Sequence, residues 1–272
     1  MHTDTHNHTM VFSPDAKMTI DELVSSALQR NIARIGITEH YEIDNPDPGD
    51  NIRTFDLQAY DKSFKEWADR YKGKIELLKG IEFGYQTTTA EKIDRTVSEN
   101  NFDIVLLSNH LFGDRDVYYS STVYKTERKE RHRIYIGKMA EMADRCKNYD
   151  VIAHFDYVNR YNPVKDETVF YDDCPKEFDA LFETIISREK ALEINTRSIE
   201  AQIRKSSSRI MPDRKVIERY IEMGGKLISL GSDSHSPETV GIHFGNTASY
   251  LKSLGINEVC YFKGRTLFTE EI

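Results

Sequence analysis

The sequence has few cysteines, no long apolar run and no excess of basic residues, and each absence excludes a class of protein. Its three cysteines are far apart and form no Cys-x-x-Cys pair, which argues against a disulfide framework and against a thiolate metal site. No apolar run approaches the roughly 20 residues of a membrane span, and the N-terminus lacks the basic-then-apolar pattern of a signal peptide. We therefore expect a cytoplasmic protein with no membrane partner.

The charge balance also restricts the partners. Lysine and arginine number 37 against 45 aspartates and glutamates, so the formal net charge is −8. A general nucleic-acid binder needs basic surface to contact phosphates, so no nucleic-acid partner is expected. The chain contains no flexible linker, internal repeat or low-complexity tract, so we expect one domain over residues 1–272. Nothing in the pattern specifies an oligomeric state.

Short apolar runs alternate with amphipathic segments along the chain. Strands are predicted at residues 1–8, 34–38, 75–83, 104–108, 151–153, 191–194 and 227–230, with a short tail at 259–262. Helices separate most of them, and the first helix opens with the capping box Thr19-x-x-Glu22. Loops are predicted at 44–51, 111–126, 156–173 and between residue 197 and Asp213. About seven strand-helix units in one domain predict a parallel sheet that forms a closed or nearly closed α/β barrel.

Histidines and acidic residues fall where the predicted strands end. Asp4, His6 and His8 share one face of the first strand, because side chains alternate between its two faces. Other residues at or just after strand ends are His40, Glu82, His110, His154, Asp233 and His235. The carboxyl ends of the strands form the active-site rim of an α/β barrel, so we expect these side chains to meet there. His2, His132 and His243 are assigned structural or surface roles, but the role of His243 stays open because this residue closely follows the last motif.

Each of these residues alone could be a cap or a hydrogen-bonded buried residue, but their shared location favours a metal site. The candidate ligands are His6, His8, Asp15, His40, Glu82, His110, His154, Asp233 and His235. Imidazole and carboxylate without thiolate suit zinc, iron or manganese and do not choose among them. An ion with an open catalytic position takes about three protein ligands, so nine indicate more than one divalent ion, with three as the expected number. Asp4 lies deeper and is expected to accept a hydrogen bond that fixes a ligand histidine.

The order of these motifs resembles that of the PHP family, named for polymerase and histidinol phosphatase. The matching segments are Asp4-x-His6-x-His8, Thr38-Glu39-His40, Gly80-Ile81-Glu82, Ser108-Asn109-His110, Ala153-His154 and Gly231-Ser232-Asp233-Ser234-His235. The chain length and the segment Phe12-Ser13-Pro14-Asp15 are most similar to the monofunctional histidinol-phosphate phosphatases. The resemblance implies a distorted (β/α)7 barrel with a trinuclear metal centre at the C-terminal rim of its strands.

The resemblance also implies how the ligands divide among three ions. The first ion would take His6, His8, Glu82 and Asp233. Glu82 would bridge to a second ion held with His110 and His154, and the third would fall to Asp15, His40 and His235. Some family members have histidine where this chain has Asp15, so the identity and occupancy of the third metal stay open.

Phosphate-ester hydrolysis needs a nucleophile and groups that neutralise the phosphoryl charge. Water bound to such ions loses a proton near neutral pH, and the resulting hydroxide would attack phosphorus. Arg160 and Arg197 follow the fifth and sixth strands, where a guanidinium could bind phosphate in bidentate fashion. The candidate catalytic residues are therefore Glu82, Asp233, Arg160 and Arg197, and both arginines are candidate substrate-binding residues.

The implied activity is hydrolysis of the small phosphate monoester L-histidinol phosphate in histidine biosynthesis. Asp114 or Asp116, in the predicted loop 111–126, would bind its amine or imidazole, and the sequence does not choose between them. One alternative is a phosphoesterase that acts on nucleotides or oligonucleotide ends, which the acidic balance disfavours. Another is a non-catalytic, metal-stabilised accessory module, like the PHP domains attached to polymerases.

Overall fold

Most strands of the computed structural model belong to one sheet, and the structure describes residues 2–47 and 52–272. Met1, predicted as part of the first strand, and residues 48–51 of the predicted loop 44–51 lie outside the described residues. The strands are β1 (Thr3–Asp4), β2 (Arg34–Tyr41), β3 (Glu76–Gly84), β4 (Ile104–Ser108), β5 (Leu111–Phe112), β6 (Arg115–Asp116), β7 (Val151–Ile152), β8 (Ala191–Asn195), β9 (Ile228–Gly231), β10 (Glu258–Lys263) and β11 (Thr266–Glu271).

Helices connect the strands and cover the outside of the sheet. They are α1 (Ile20–Gln29), α2 (Leu57–Tyr71), α3 (Ala90–Glu99), α4 (Arg128–Arg145), α5 (Tyr157–Arg160), α6 (Pro175–Ser187), α7 (Thr196–Arg204), α8 (Arg214–Glu222) and α9 (Phe244–Ser253). The predicted capping box of α1 is confirmed, because Thr19 and Glu22 bond each other's backbone. None of these helices is long and apolar enough to cross a membrane.

The strand order of the large sheet is β1-β2-β3-β4-β7-β8-β9-β10-β11, and its pairs are parallel except β10 with β11. The two edges of the parallel part approach each other. Thr5 N donates to Leu230 O at 3.2 Å, and His8 N donates to Ser234 O at 2.9 Å. The first strand therefore contacts both β2 and the end of β9, and the predicted α/β class with a mostly parallel sheet is confirmed.

The barrel strands place apolar side chains at one end and polar side chains at the other. One apolar cluster, separate from the main core, consists of Ile104, Leu106, Val151, Ala153, Ala191, Cys260 and Phe262. On β4 these residues share a face with Ser108, whose hydroxyl donates to Glu82. This cluster therefore fills the N-terminal part of the barrel, below buried polar groups at the C-terminal ends of the strands.

Three predicted loops contain regular structure, because β5 and β6 lie within the predicted loop 111–126 and α5 lies within the predicted loop 156–173. The predicted polar loop after residue 197 is wrong, because α7 begins at Thr196 with the Asn195 side chain accepting a hydrogen bond from Arg197 N. Its few apolar residues gave too weak a periodic signal. The tail is a β-hairpin whose turn, Gly264 and Arg265, has positive φ at both positions, without the Asn-Gly signal that usually marks such turns.

Candidate metal centre

The structure brings all nine predicted metal ligands to the C-terminal end of the barrel. His40 lies on β2 and Glu82 on β3, whereas the other members lie in the segments that follow strands or precede α1. Eight of the nine are buried, and the side chain of Asp15 is 31% exposed. The contacts divide the nine into three groups that share side chains.

The first group surrounds the two histidines of the first strand. His6 Nε2 and His8 Nε2 are 3.0 Å apart. Glu82 Oε2 lies 3.4 Å and 3.5 Å from these nitrogens, and Asp233 Oδ1 lies 3.7 Å and 3.4 Å from them. A tetrahedral ion at about 2.0–2.2 Å from its ligands separates them by about 3.3–3.6 Å. The four side chains are therefore spaced to hold one ion.

The second ligand group surrounds Oε1, the other carboxylate oxygen of Glu82. His110 Nε2 lies 3.2 Å and His154 Nε2 lies 2.8 Å from Glu82 Oε1. Ser108 Oγ donates to the same oxygen at 2.6 Å. Glu82 thus presents one oxygen to each group, which is the position of a bridging carboxylate.

The third group lies nearest the solvent. His40 Nε2 and His235 Nε2 are 3.3 Å apart, and Asp15 Oδ2 lies 3.6 Å and 2.8 Å from them. His40 Nδ1 is also 2.7 Å from Glu82 Oε2, so its ring contacts the first group as well. Asp15 is therefore placed to act as a ligand where some family members have histidine.

The donor set fits divalent cations on its electrostatics as well as its spacing. Glu82 Oε2 is buried, and none of its neighbours in the described residues, His40 Nδ1 at 2.7 Å included, forms a hydrogen bond of good geometry with it, a costly arrangement unless a cation lies beside it. Burial alone would raise the pKa of Glu82, but the imidazoles of His6 and His40 hold that pKa well below its ordinary value. Burial likewise opposes ionisation of Asp233, and Arg160 and His6 hold its pKa well below the usual range. Both carboxylates are therefore available as anionic ligands.

Two carboxylates that the sequence prediction missed orient the ligand imidazoles. His6 Nδ1 donates to Glu193 Oε1 at 2.7 Å, and His110 Nδ1 donates to Glu42 Oε1 at 2.8 Å. These bonds turn each Nε2 toward the cluster and increase its basicity. A Cβ at Gly231 would overlap both Glu193 and His6, so glycine is needed there. A charged residue inside the apolar run of β8 was the available signal for Glu193.

A hydroxyl performs the same task for His8. Ser13 Oγ lies 3.2 Å from His8 Nδ1, accepts a hydrogen bond from His40 N, and donates to Glu39 Oε2 at 2.6 Å. Glu39 also accepts from Thr9 N and Thr9 Oγ1. These contacts connect the loop after the first strand to β2, which fixes the distance between two ligand groups.

Asp4 contacts the backbone of His6 rather than an imidazole. Its carboxylate accepts hydrogen bonds from Ser232 N at 2.9 Å, Ser232 Oγ at 2.6 Å and Gly241 N at 3.0 Å, with His6 N at 3.4 Å. Burial raises the pKa of Asp4 to about 6. Asp4 lies deeper than the imidazole rings, and its hydrogen bonds with Ser232 and Gly241 fix the segment that carries Asp233.

Both predicted arginines lie beside this cluster. Arg160 Nη1 donates to Asp233 Oδ2 at 2.6 Å, and Arg160 Nη2 donates to Asn195 Oδ1 at 3.0 Å. Arg197 Nη1 lies 3.4 Å from Asp233 Oδ1 and 3.2 Å from His235 Nε2. The Arg160 side chain is buried, whereas that of Arg197 is 32% exposed. Asp233 therefore directs one oxygen at the histidines and the other at Arg160.

A cavity of about 850 Å³ opens onto the cluster and is lined by both arginines. The lining of this cavity distinguishes Asp114 from Asp116, between which the sequence did not choose. Asp116 lines this cavity and accepts hydrogen bonds from Tyr118 N and Tyr157 OH, and burial raises its pKa to about 6. Asp114 lines a different cavity.

The histidines left out of the ligand set have other partners. His132 is buried between Asp173 and Asn159, which lie 2.8 Å and 3.0 Å from its two ring nitrogens. His243 Nε2 lies 2.7 Å from Glu200 Oε2. These contacts agree with the structural roles expected for them.

We expect Glu193→Gln to weaken metal binding and catalytic efficiency by about 10–100-fold, the usual effect of removing the carboxylate that orients a ligand histidine. The neutral amide keeps the shape of the side chain but removes the charge that faces His6 Nδ1. Metal titration against a chelator and kcat/KM measure the two effects. Glu183→Gln, an exposed change on α6, is the control, and unchanged metal affinity in Glu193→Gln would contradict this role.

Comparisons with known proteins show the family of this chain. Residues 4–197 match the PHP domain family. The chain is 34% identical over 262 residues to a probable histidinol-phosphatase of Clostridium acetobutylicum, with 96% of each chain covered. It is 27% identical to the histidinol-phosphatase of Lactococcus lactis, with 96% of this chain and 94% of that relative covered.

Solved structures share the fold. A crystal structure of histidinol phosphate phosphatase from Lactococcus lactis has a TM-score of 0.86, 26% identity and 98% coverage of both chains, and that protein was complexed with zinc, L-histidinol and phosphate. A putative histidinol phosphatase of Listeria monocytogenes has a TM-score of 0.75 at 18% identity, with 90% of this chain and 99% of that chain covered.

Proposed function

The chain belongs to the PHP domain family, and we propose that it is a metal-dependent phosphomonoesterase that hydrolyses L-histidinol phosphate to L-histidinol and phosphate. The observation that carries the proposal is the arrangement around Glu82, which joins two ligand groups with one oxygen each. Relatives named histidinol-phosphatase support the substrate. We also propose a cytoplasmic location, because the proposed reaction is a step in amino-acid synthesis.

We further propose three divalent ions, of zinc, manganese or iron, held by the three ligand groups. Zinc in the Lactococcus lactis structure supports metal binding, and the spacing of the donor atoms supports one ion per group. Ions bound there would lower the pKa of a coordinated water to about 7 and neutralise charge on the phosphoryl group. We also propose that residues 1–272 act as one catalytic domain, because ligands come from His6 to His235 and Glu270 bonds the backbone of Thr3.

The side chains of this protein bind and orient the phosphoryl group. Arg197 reaches the cavity with its guanidinium partly exposed, so it can bind two phosphoryl oxygens. Arg160 is held by Asp233 and Asn195, so its guanidinium is already oriented before substrate binds. Their positive charge stabilises the charge that develops on the phosphoryl oxygens in the transition state.

The reaction forms one bond and breaks one. The oxygen of water forms a bond to phosphorus while the bond between phosphorus and the ester oxygen breaks. The ester oxygen leaves with the electron pair and takes up a proton to become the alcohol of L-histidinol. Asp116 lines the same cavity without belonging to the nine ligands, and in this proposal its carboxylate faces the cationic part of the substrate.

Hydrolysis in ¹⁸O-labelled water tests this chemistry. Attack at phosphorus places the label in inorganic phosphate and leaves L-histidinol unlabelled, as mass spectrometry of both products would show. Label in L-histidinol would mean attack at carbon and would overturn the proposed reaction.

Arg197→Ala is expected to lower kcat/KM by about 10²–10³-fold, the usual effect of removing one group that stabilises transition-state charge. Metal content should stay at the wild-type level, because Arg197 contacts the ligands only from the cavity side. Elemental analysis and initial rates of phosphate release measure the two quantities on the same sample. Unchanged kcat/KM would remove Arg197 from the site.

A further inference from the structure

A second cavity, of about 720 Å³, lies between α4, the segment after β3 and the β5–β6 hairpin. It contains none of the nine metal ligands. Its lining includes the apolar side chains of Leu111, Phe112 and Ile134, and its volume is that of a small-molecule site. The function proposed above makes no use of it.

A buried polar group in the lining of this cavity lacks a partner. Asn109 lines the cavity and is only 1% exposed. Its Oδ1 accepts a hydrogen bond from Leu111 N, but its Nδ2 has no hydrogen-bond partner in the described part of the chain. Buried amide donors are almost always paired in folded proteins, so this side chain favours a ligand that offers an oxygen acceptor.

A glycine keeps the cavity open on the side of α4. Gly137 lies in the interior of that helix, where glycine is unfavourable relative to alanine. A Cβ at this position would meet only Glu177 Cγ, at 3.6 Å. Packing therefore does not require glycine here, whereas a larger side chain would occupy the cavity.

The charged groups around the cavity complement a zwitterion. Asp114 and Glu177 line it, together with Arg133, whose guanidinium pairs with Glu130. Lys138 lines it as well and contacts Glu141 and Thr87. Two carboxylates favour an ammonium group, and the Lys138 ammonium with the Asn109 amide favours a carboxylate.

We propose that this second cavity binds a free α-amino acid. Its ammonium group lies towards Asp114 and Glu177, its carboxylate towards Asn109 and Lys138, and its side chain on the apolar part of the lining. Asp114 stands two residues before Asp116, which lines the first cavity, so the β5–β6 hairpin forms a wall of both sites. Amino-acid binding and substrate binding are then coupled through this hairpin, and the coupling is reciprocal.

Isothermal titration of the metal-loaded full chain with each free proteinogenic amino acid tests the proposal. Inorganic phosphate at saturating concentration occupies the first cavity during the titration. At least one amino acid is expected to bind, and its analogues that lack the ammonium or the carboxylate group are expected not to bind. Glu177→Gln should weaken that binding about tenfold, the usual effect of losing a charged hydrogen-bond partner.

Variants in each cavity distinguish binding in the second cavity from binding in the first. Gly137→Leu, which fills the cavity, should abolish amino-acid binding, whereas Arg197→Ala and Glu183→Gln should leave it unchanged. Circular dichroism and metal content of the variants establish that they are folded. The proposal is overturned if no amino acid binds the wild-type chain, or if binding survives in both Glu177→Gln and Gly137→Leu. Loss of binding in Arg197→Ala would likewise overturn it, by placing the ligand in the first cavity.

Discussion

Glu82→Gln should remove nearly all phosphatase activity and release metal from two of the three ligand groups. Glu82 Oε1 lies within 3.2 Å of two ligand nitrogens and Oε2 lies within 3.5 Å of three, and an amide can offer only one oxygen. The remaining NH2 group would point a donor at a metal position. We therefore expect a loss well beyond the about 10–100-fold that follows removal of an outer partner of a ligand.

Metal content and kcat/KM, measured on the same preparation, test this prediction. Glu76→Gln is the matched control, because Glu76 lies on the same strand but forms partly exposed ion pairs with Arg34 and Lys263, which are worth little. The amide of Glu82→Gln can still accept the hydrogen bond from Ser108 Oγ, so the fold should persist. A variant with wild-type metal content and wild-type kcat/KM would contradict the bridging role of Glu82.

Arg160→Ala should impair both catalysis and stability. We expect kcat/KM to fall by about 10²–10³-fold, because a charge that faces the phosphoryl group is lost. Removing one partner of a buried ion pair costs about 3–5 kcal/mol when the other charge stays unpaired. Arg160 and Asp233 form such a pair at 2.6 Å, with both side chains 3% exposed.

The stability effect of Arg160→Ala should depend on metal. An ion bound to Asp233 Oδ1 compensates the carboxylate charge, so the fall in Tm should be larger with chelator than with metal. Arg160→Lys keeps one positive charge and should recover stability more than kcat/KM, because lysine cannot bind in bidentate fashion. Wild-type kcat/KM in Arg160→Ala, or equal Tm losses with and without metal, would contradict this account.

The positions of the ligands could be predicted because they depend on local periodicity. Side-chain alternation in the first strand puts His6 and His8 on one face, although regular strand structure there is limited to Thr3–Asp4. Glu82 and His110 are brought together because the carboxyl ends of neighbouring parallel strands meet at one rim. No long-range information was needed for these expectations.

The groups that orient the ligands could not be found in this way. Glu193 contacts His6 across 187 residues of chain, and Glu42 contacts His110 across 68. Such pairs depend on the strand order and the curvature of the sheet, which local patterns do not contain. The contacts of Asp4 with Ser232 and Gly241 could not be found for the same reason, because those partners come from the far end of the chain.

The choice between Asp114 and Asp116 also needed the structure. Residues two apart in a regular strand share a face, but β6 begins only at Arg115. Asp114 therefore belongs to the turn after Gly113, whose φ is +69°, and it lines a different cavity from Asp116.

The most direct test of the account is the rate of phosphate release from L-histidinol phosphate, compared with a nucleoside monophosphate. The chain would be stripped with a chelator and reconstituted separately with zinc, manganese or iron. We predict strong preference for L-histidinol phosphate and complete loss of turnover in the stripped protein. Equal turnover of the nucleotide, or turnover that survives metal removal, would contradict a metal-dependent histidinol-phosphate phosphatase.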